Sequence, residues 1–160
     1  MRHAAACDAI RDAADGRLNV IFGAELRFRY AINDYLLYGA TPEFLLAHSD
    51  IFEMTPREFS EIARDAGVLF VQAHPFRNDM MVINPAYLDG IEIFNGHTGH
   101  DSRNDVAELW AKKYSLIPTS GTDFHHSYHE PNAGILTECE IKTGAELVSI
   151  LRGGKYELIR

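Results

Sequence analysis

The sequence predicts an α/β fold in which strand carboxyl ends converge on one site, as in a complete or partial (β/α) barrel. Three observations lead there. Short apolar runs alternate with capped amphipathic segments, the pattern of βαβ units and a mostly parallel sheet. Residues able to bind metal follow these runs rather than precede them, and chemistry in barrels and open α/β sheets sits at strand carboxyl ends. Three such ends, at Glu25, His74 and Asp123, offer donors to one place.

The first expected helix covers residues 4–15, where Ala4, Ala5, Ala6, Ala9, Ile10, Ala13 and Ala14 favour helix and Gly16 stops it. Leu18–Phe22 then reads as a buried strand ending at Gly23-Ala24-Glu25, and Asp34–Gly39 as a second. Thr41-Pro42 is a helix start, with Thr as cap and Pro in the first turn. Thr55-Pro56-Arg57-Glu58 repeats it and adds a capping-box Glu, before a stripe of Phe59, Ile62, Ala63 and Ala66. Val68–Val71 is the next strand, running into Ala73-His74-Pro75, and Gly90–Asn95 the one after. A helix around 102–114 is expected, with Val106, Leu109, Trp110 and Tyr114 on one face. Leu116–Thr119 forms the strand before Ser120-Gly121-Thr122-Asp123-Phe124-His125-His126, and Gly134–Leu136 another short one. Thr143 to Glu146 opens the last helix, with Leu147, Ile150 and Leu151 inward and Gly153-Gly154 as its stop before residues 155–159.

A chain of 160 residues suits one domain, 1–160, large enough for a real core. A net charge of −8 argues against a general nucleic-acid binder, although local basic residues can still hold one phosphate. Cys7 and Cys139 are too few for a disulfide framework, which makes a cytoplasmic location the expectation. No apolar run reaches the ~18 residues of a membrane span, and residues 1–6 lack the apolar core of a signal peptide.

Asp and His are donors that Zn²⁺, Mn²⁺ or Fe²⁺ accept. If the chain stays extended after Gly121, Asp123 and His125 point to one side and reach one metal, while His126 points away. His129 reads as a loop surface residue. His74 leaves its strand with Pro75 fixing the direction, and Glu25 needs a partner, either a metal or Arg27 or Arg29. Glu92 alternates with Ile91 and Ile93, so it faces either the site or an ion pair with a helix. Asn95, His97 and His100 belong to the following loop, with His97 a candidate ligand or substrate contact. Arg77 is placed to hold a phosphate oxygen bidentately or to stand as a surface charge. There is no Gly-x-Gly-x-x-Gly, Walker lysine loop or Gly-x-Ser-x-Gly elbow, and neither Cys has a nucleophile's context. A metal-activated hydroxide is the hydrolytic option that remains.

Gly23-Ala24-Glu25, Ala73-His74-Pro75, Gly90–Asn95 and Ser120–His125, in this order and spacing, resemble the PHP (polymerase and histidinol phosphatase) superfamily of metal-dependent phosphoesterases. The resemblance spans residues ~18 to ~160. It implies a distorted (β/α)7 barrel with up to three Zn²⁺, Mn²⁺ or Fe ions, Glu25 bridging two of them and His74, Asp123 and His125 as ligands. The implied substrate is a small phosphate ester, with Arg77, Glu92, Asn95 and His97 as candidate substrate contacts. Members of the family open with a strand carrying His-x-His and often place another His on the strand matching Asp34–Gly39; this sequence shows neither. An N-terminally incomplete barrel with fewer metals is therefore expected, with His3 a candidate remnant ligand. Its exposed edge would be shielded or paired in a homodimer. The alternatives are a catalytically impaired domain acting as a metal- or phosphate-binding or interaction module, and a barrel hydrolase acting on C–N bonds.

Overall fold

The structure, a computed structural model, describes residues 2–160, with side chains from residue 5 onward. The chain runs α1 (Arg2–Ala14), β1 (Ala24–Leu26), β2 (Tyr35–Tyr38), α2 (Pro42–Ala47), α3 (Pro56–Asp65), β3 (Leu69–Gln72), β4 (Gly90–Asn95), α4 (Asn104–Tyr114), β5 (Ile117–Gly121), β6 (Gly134–Leu136), α5 (Gly144–Gly153) and β7 (Glu157–Ile159). Single 3-10 turns lie at Ile51–Glu53 and Pro85–Tyr87.

Local chemistry sets most helix starts. Thr41 accepts the Phe44 N–H at the start of α2. Thr55 and Thr143 each accept the N–H three residues on, while Glu58 and Glu146 bond back to the cap's own N–H. Both capping boxes thus satisfy donors that a helix start leaves open.

β1 to β5 form one sheet in the order β1-β2-β3-β4-β5, and β6 pairs with β7 in a separate antiparallel ribbon. β2 runs antiparallel to both neighbours, whereas β3, β4 and β5 are parallel. The expected (β/α)7 barrel and mostly parallel sheet are therefore incorrect. Among the described residues the sheet is open, with β1 and β5 at its edges. A closed barrel needs a parallel strand after every crossover, and an eight-unit one takes about 250 residues. Here the link from β3 to β4 carries only a 3-10 turn, and β6 leaves the sheet for β7.

Leu18–Phe22 is not a strand either. The ladder begins at Ala24, opposite Leu37, and Val20, Ile21 and Phe22 line an apolar groove under α1. Their apolarity reflects packing along a groove, which a short apolar run does not distinguish from a strand.

One sheet face carries the main core: Leu26, Tyr35, Leu37, Phe70, Ile91 and Ile93 pack against Phe59 and Ala63 of α3 and Ala107 and Ala111 of α4. Phe28, Tyr35, Phe59 and Phe70 form an aromatic knot, with ring centroids 4.7 to 6.2 Å apart. On the other face Leu69 and Val71 meet Leu151 of α5. α4 buries Ala107 and Ala111, with Trp110 partly buried against the same core, whereas Leu109 on the expected face is 67% exposed. Small side chains let the helix lie close on β4. No helix among the described residues is long and apolar enough to cross a membrane.

Candidate metal centre

Two strand ends turn sharply to deliver their donors. His74, just past β3, has φ +25°, and Asp123, just past β5, has φ +50°. Left-handed backbone at a non-glycine residue is uncommon, and the surroundings must hold it there. At His74 they do: its N–H donates to Glu92 Oε2 at 2.8 Å, and Ala73 N–H donates to Asp34 O at 3.0 Å. The extended geometry expected from Asp123 to His125 is thus wrong. His125 still meets its neighbour, because its Nδ1 lies 2.8 Å from the Asp123 carbonyl and 3.2 Å from Oδ1.

A bulge in β4 shapes the floor. Glu92 pairs with Thr119 and Phe94 with Ser120, so one residue is extra between them. In a regular strand residues 92 and 95 would face opposite ways. The bulge brings them together, and Asn95 Nδ2 donates to Glu92 Oε2 at 3.1 Å. Gly121 leaves room for this carboxyl group, since a Cβ there would lie 2.5 Å from Glu92 Oε1. Burial, with Asp123 nearby, pushes Glu92 up to about 7 against the bonds from Asn95 and His74.

The result is a cavity of about 300 Å³ lined by Glu25, His74, Glu92, Asn95, Asp123 and His125, with Leu36 and Tyr38 on its apolar side. Two groups of donors meet at it, with Asp34 and His100 adjoining the lining residues His74 and Asp123. In the first, Glu25, Asp34 and His74 each bring one ligand atom within 4.8 Å of the others, and His74 Nε2 stands 3.7 Å from each carboxylate. In the second, Asp123 Oδ2 lies 3.8 Å from His100 Nε2, with His125 beside it. These separations are too long for hydrogen bonds. They are close to the about 3.4 Å between neighbouring ligands on a tetrahedral zinc with 2.0–2.1 Å bonds.

Buried His74 Nδ1 and His100 Nε2 have no hydrogen-bond partner among the described residues. His125 donates through Nδ1 to the Asp123 carbonyl, which leaves Nε2 as its free lone pair and raises its pKa. Several carboxylates, the orphaned His100 Nε2 beside Asp123 and a correctly turned His125 fit a divalent cation.

The candidate substrate contacts sit differently. Asn95 is the last residue of β4 rather than a loop residue, and its Oδ1 accepts the His97 N–H, so it braces the site. Glu92 faces the cavity from beneath Gly121. Arg77 is 3.9 Å from Asp34 Oδ2 at the first donor group. His97 stacks on His100, with ring centroids 4.3 Å apart. His129, read as a surface residue, is 9% exposed and accepts the His125 N–H through Nδ1. Burial and the neighbouring imidazoles lower its pKa. The side chain of His3 lies outside the described residues.

Sequence reasoning missed Asp34 and His100 as donors. Asp34 stands immediately before β2, the strand on which a histidine was sought, and a search for any carboxylate there would have found it. Arg27 also holds Asp34 through two 2.6 Å bonds, so the Glu25 alternatives resolve differently: Arg27 serves Asp34, and Arg29 pairs with Glu53. No family model matches the chain, and a search of curated proteins finds no match.

Proposed function

We propose that this chain is a metal-dependent phosphoesterase acting on a small phosphate ester. The observation that carries the reading is the convergence of Glu25, His74, Asp123 and His125 on one cavity, with Asp34 beside His74 and the buried His100 Nε2 beside Asp123 left without a hydrogen-bond partner. The motifs that resemble the PHP superfamily direct this donor set toward phosphate esters rather than C–N bonds. A divalent metal, when bound, supplies positive charge for phosphoryl oxygens and a water of lowered pKa. Glu25, Asp34 and His74 would hold one ion, and Asp123, with His125 or His100 beside it, would contribute to a second. Arg77 places a guanidinium beside the first group to orient a phosphoryl oxygen. Glu92 keeps the His74 turn in place.

A second reading, binding without turnover, draws on one observation. Arg27 already occupies both oxygens of Asp34, which takes the place of a cation at that carboxylate. Metal content and phosphate release after chelation and reloading with Mn²⁺ or Zn²⁺ separate the two. The phosphoesterase predicts bound metal and hydrolysis of at least one phosphomonoester, with Asp123→Asn and His74→Ala losing both. Metal without hydrolysis supports the binding module, and a chain that retains no metal refutes both.

A further inference from the structure

Next to the metal pocket, His97, His125 and His129 bring one ring nitrogen each within 4.8 Å of one another. By distance alone this is a three-histidine metal site. The backbone directs it to another use. Gly99 N–H donates to His97 Nδ1 at 2.9 Å, and His125 N–H donates to His129 Nδ1 at 3.1 Å. A ring nitrogen that accepts a hydrogen bond carries no proton, so in each neutral ring the proton resides on Nε2. An Nε2–H has no lone pair for a metal. It is a hydrogen-bond donor.

The rings are also held against turning over. His97 lies flat on His100 with 12° between planes, and His129 meets His97 edge-on at 4.5 Å. Turning either ring over would put Cδ2 where Nδ1 now accepts and so break its backbone bond. Neither Nε2 has a protein hydrogen-bond partner among the described residues, and neither is sealed in as His100 Nε2 is. The two donor-bearing rings are thus neighbours, with centroids 4.5 Å apart, and their centroids lie 6.1 and 6.4 Å from that of His125, which lines the cavity.

We propose that the Nε2–H groups of His97 and His129 form an oxyanion subsite that takes a second anionic group of the substrate, beyond the phosphoryl group in the metal pocket. The subsite rests on the phosphoesterase reading only for that substrate assignment. Phosphate and carboxylate share the acceptor chemistry it recognises. The substrate class is thus a phosphate ester whose alcohol part carries another oxyanion.

Imidazole ¹⁵N spectra of the chelator-treated protein test the subsite without the metals. His97 and His129 should appear as Nε2–H tautomers, and inorganic phosphate should shift both. His97→Asn and His129→Asn keep an acceptor where Nδ1 stood and delete the Nε2 donor, and each should weaken phosphate binding about tenfold. His97→Gln, which returns an N–H near the Nε2 position, should restore most of it. Nδ1–H tautomers, Zn²⁺ bound in place of phosphate, or phosphate shifts unchanged in the Asn variants would overturn the subsite. With metal restored, kcat/KM should rank propane-1,3-diol bisphosphate and 3-phosphooxypropanoate above propyl phosphate, and their order tells phosphate from carboxylate. The Asn variants should collapse that ratio about tenfold. Equal ratios overturn the substrate assignment. Absence of turnover in every ester, with phosphate still bound, overturns the phosphoesterase reading and the substrate class but leaves the subsite standing.

Discussion

Taking the metal-free protein from pH about 5 to about 8 should cost about 3 kcal/mol of stability through the Glu92 carboxyl group alone. Glu92 is 4% exposed, and its Oε2 accepts from His74 N–H and Asn95 Nδ2, while Oε1 lies against Gly121. Those two bonds favour the ionised form, yet burial outweighs them and raises the group from 4.5 to about 7. Between these values the native protein keeps a proton that the unfolded chain has released. The unfolded state then binds fewer protons, so stability falls as pH rises through the window and levels off above about 7. Urea unfolding with chelator present, in pH steps, measures this for wild type and for Glu92→Gln. The glutamine keeps an acceptor for His74 and Asn95 and does not titrate. Wild type should lose about 3 kcal/mol relative to the variant across the window, and bound Mn²⁺ should flatten the loss by favouring the carboxylate. Parallel curves for the two chelated proteins would refute the buried-carboxyl argument.

Phe59 is fully buried and meets the rings of Phe28, Phe44 and Phe70. Phe59→Ala should therefore cost about 3–5 kcal/mol in urea unfolding at constant m-value. Gly121→Ala forces a methyl group against Glu92 Oε1 and should destabilise by about 1–3 kcal/mol, with lower metal retention. Most of that cost should vanish in a Glu92→Ala background, and equal losses in both backgrounds would show that the crowding lies elsewhere.

Legibility in the sequence followed the range of the interaction. Thr55 acts on Glu58 and Thr143 on Glu146, each pair three residues apart, so the first capping box and the second helix start could be read directly, and both stand in the structure as capping boxes. The strands at Leu69–Gln72, Gly90–Asn95 and Ile117–Gly121 announced themselves by apolar runs, and His74, Asp123 and His125 by their place just after two of them. Pairing direction was not legible. Whether β2 joins its neighbours parallel or antiparallel depends on partners distant in the chain, and that choice left the sheet open rather than closed.

The same limit applies inside the site. The amino-acid order determined which residues carry metal-binding chemistry and that they follow strands, because side-chain type and local turn signals belong to the residues themselves. Tertiary structure alone decided how they meet. The β4 bulge set Asn95 beside Glu92, left-handed backbone at His74 and Asp123 turned their side chains into the cavity, and antiparallel β2 carried Asp34 to His74. Each depends on register or on a strained conformation that only the surrounding packing can impose, and neither leaves a mark on a stretch of sequence read by itself.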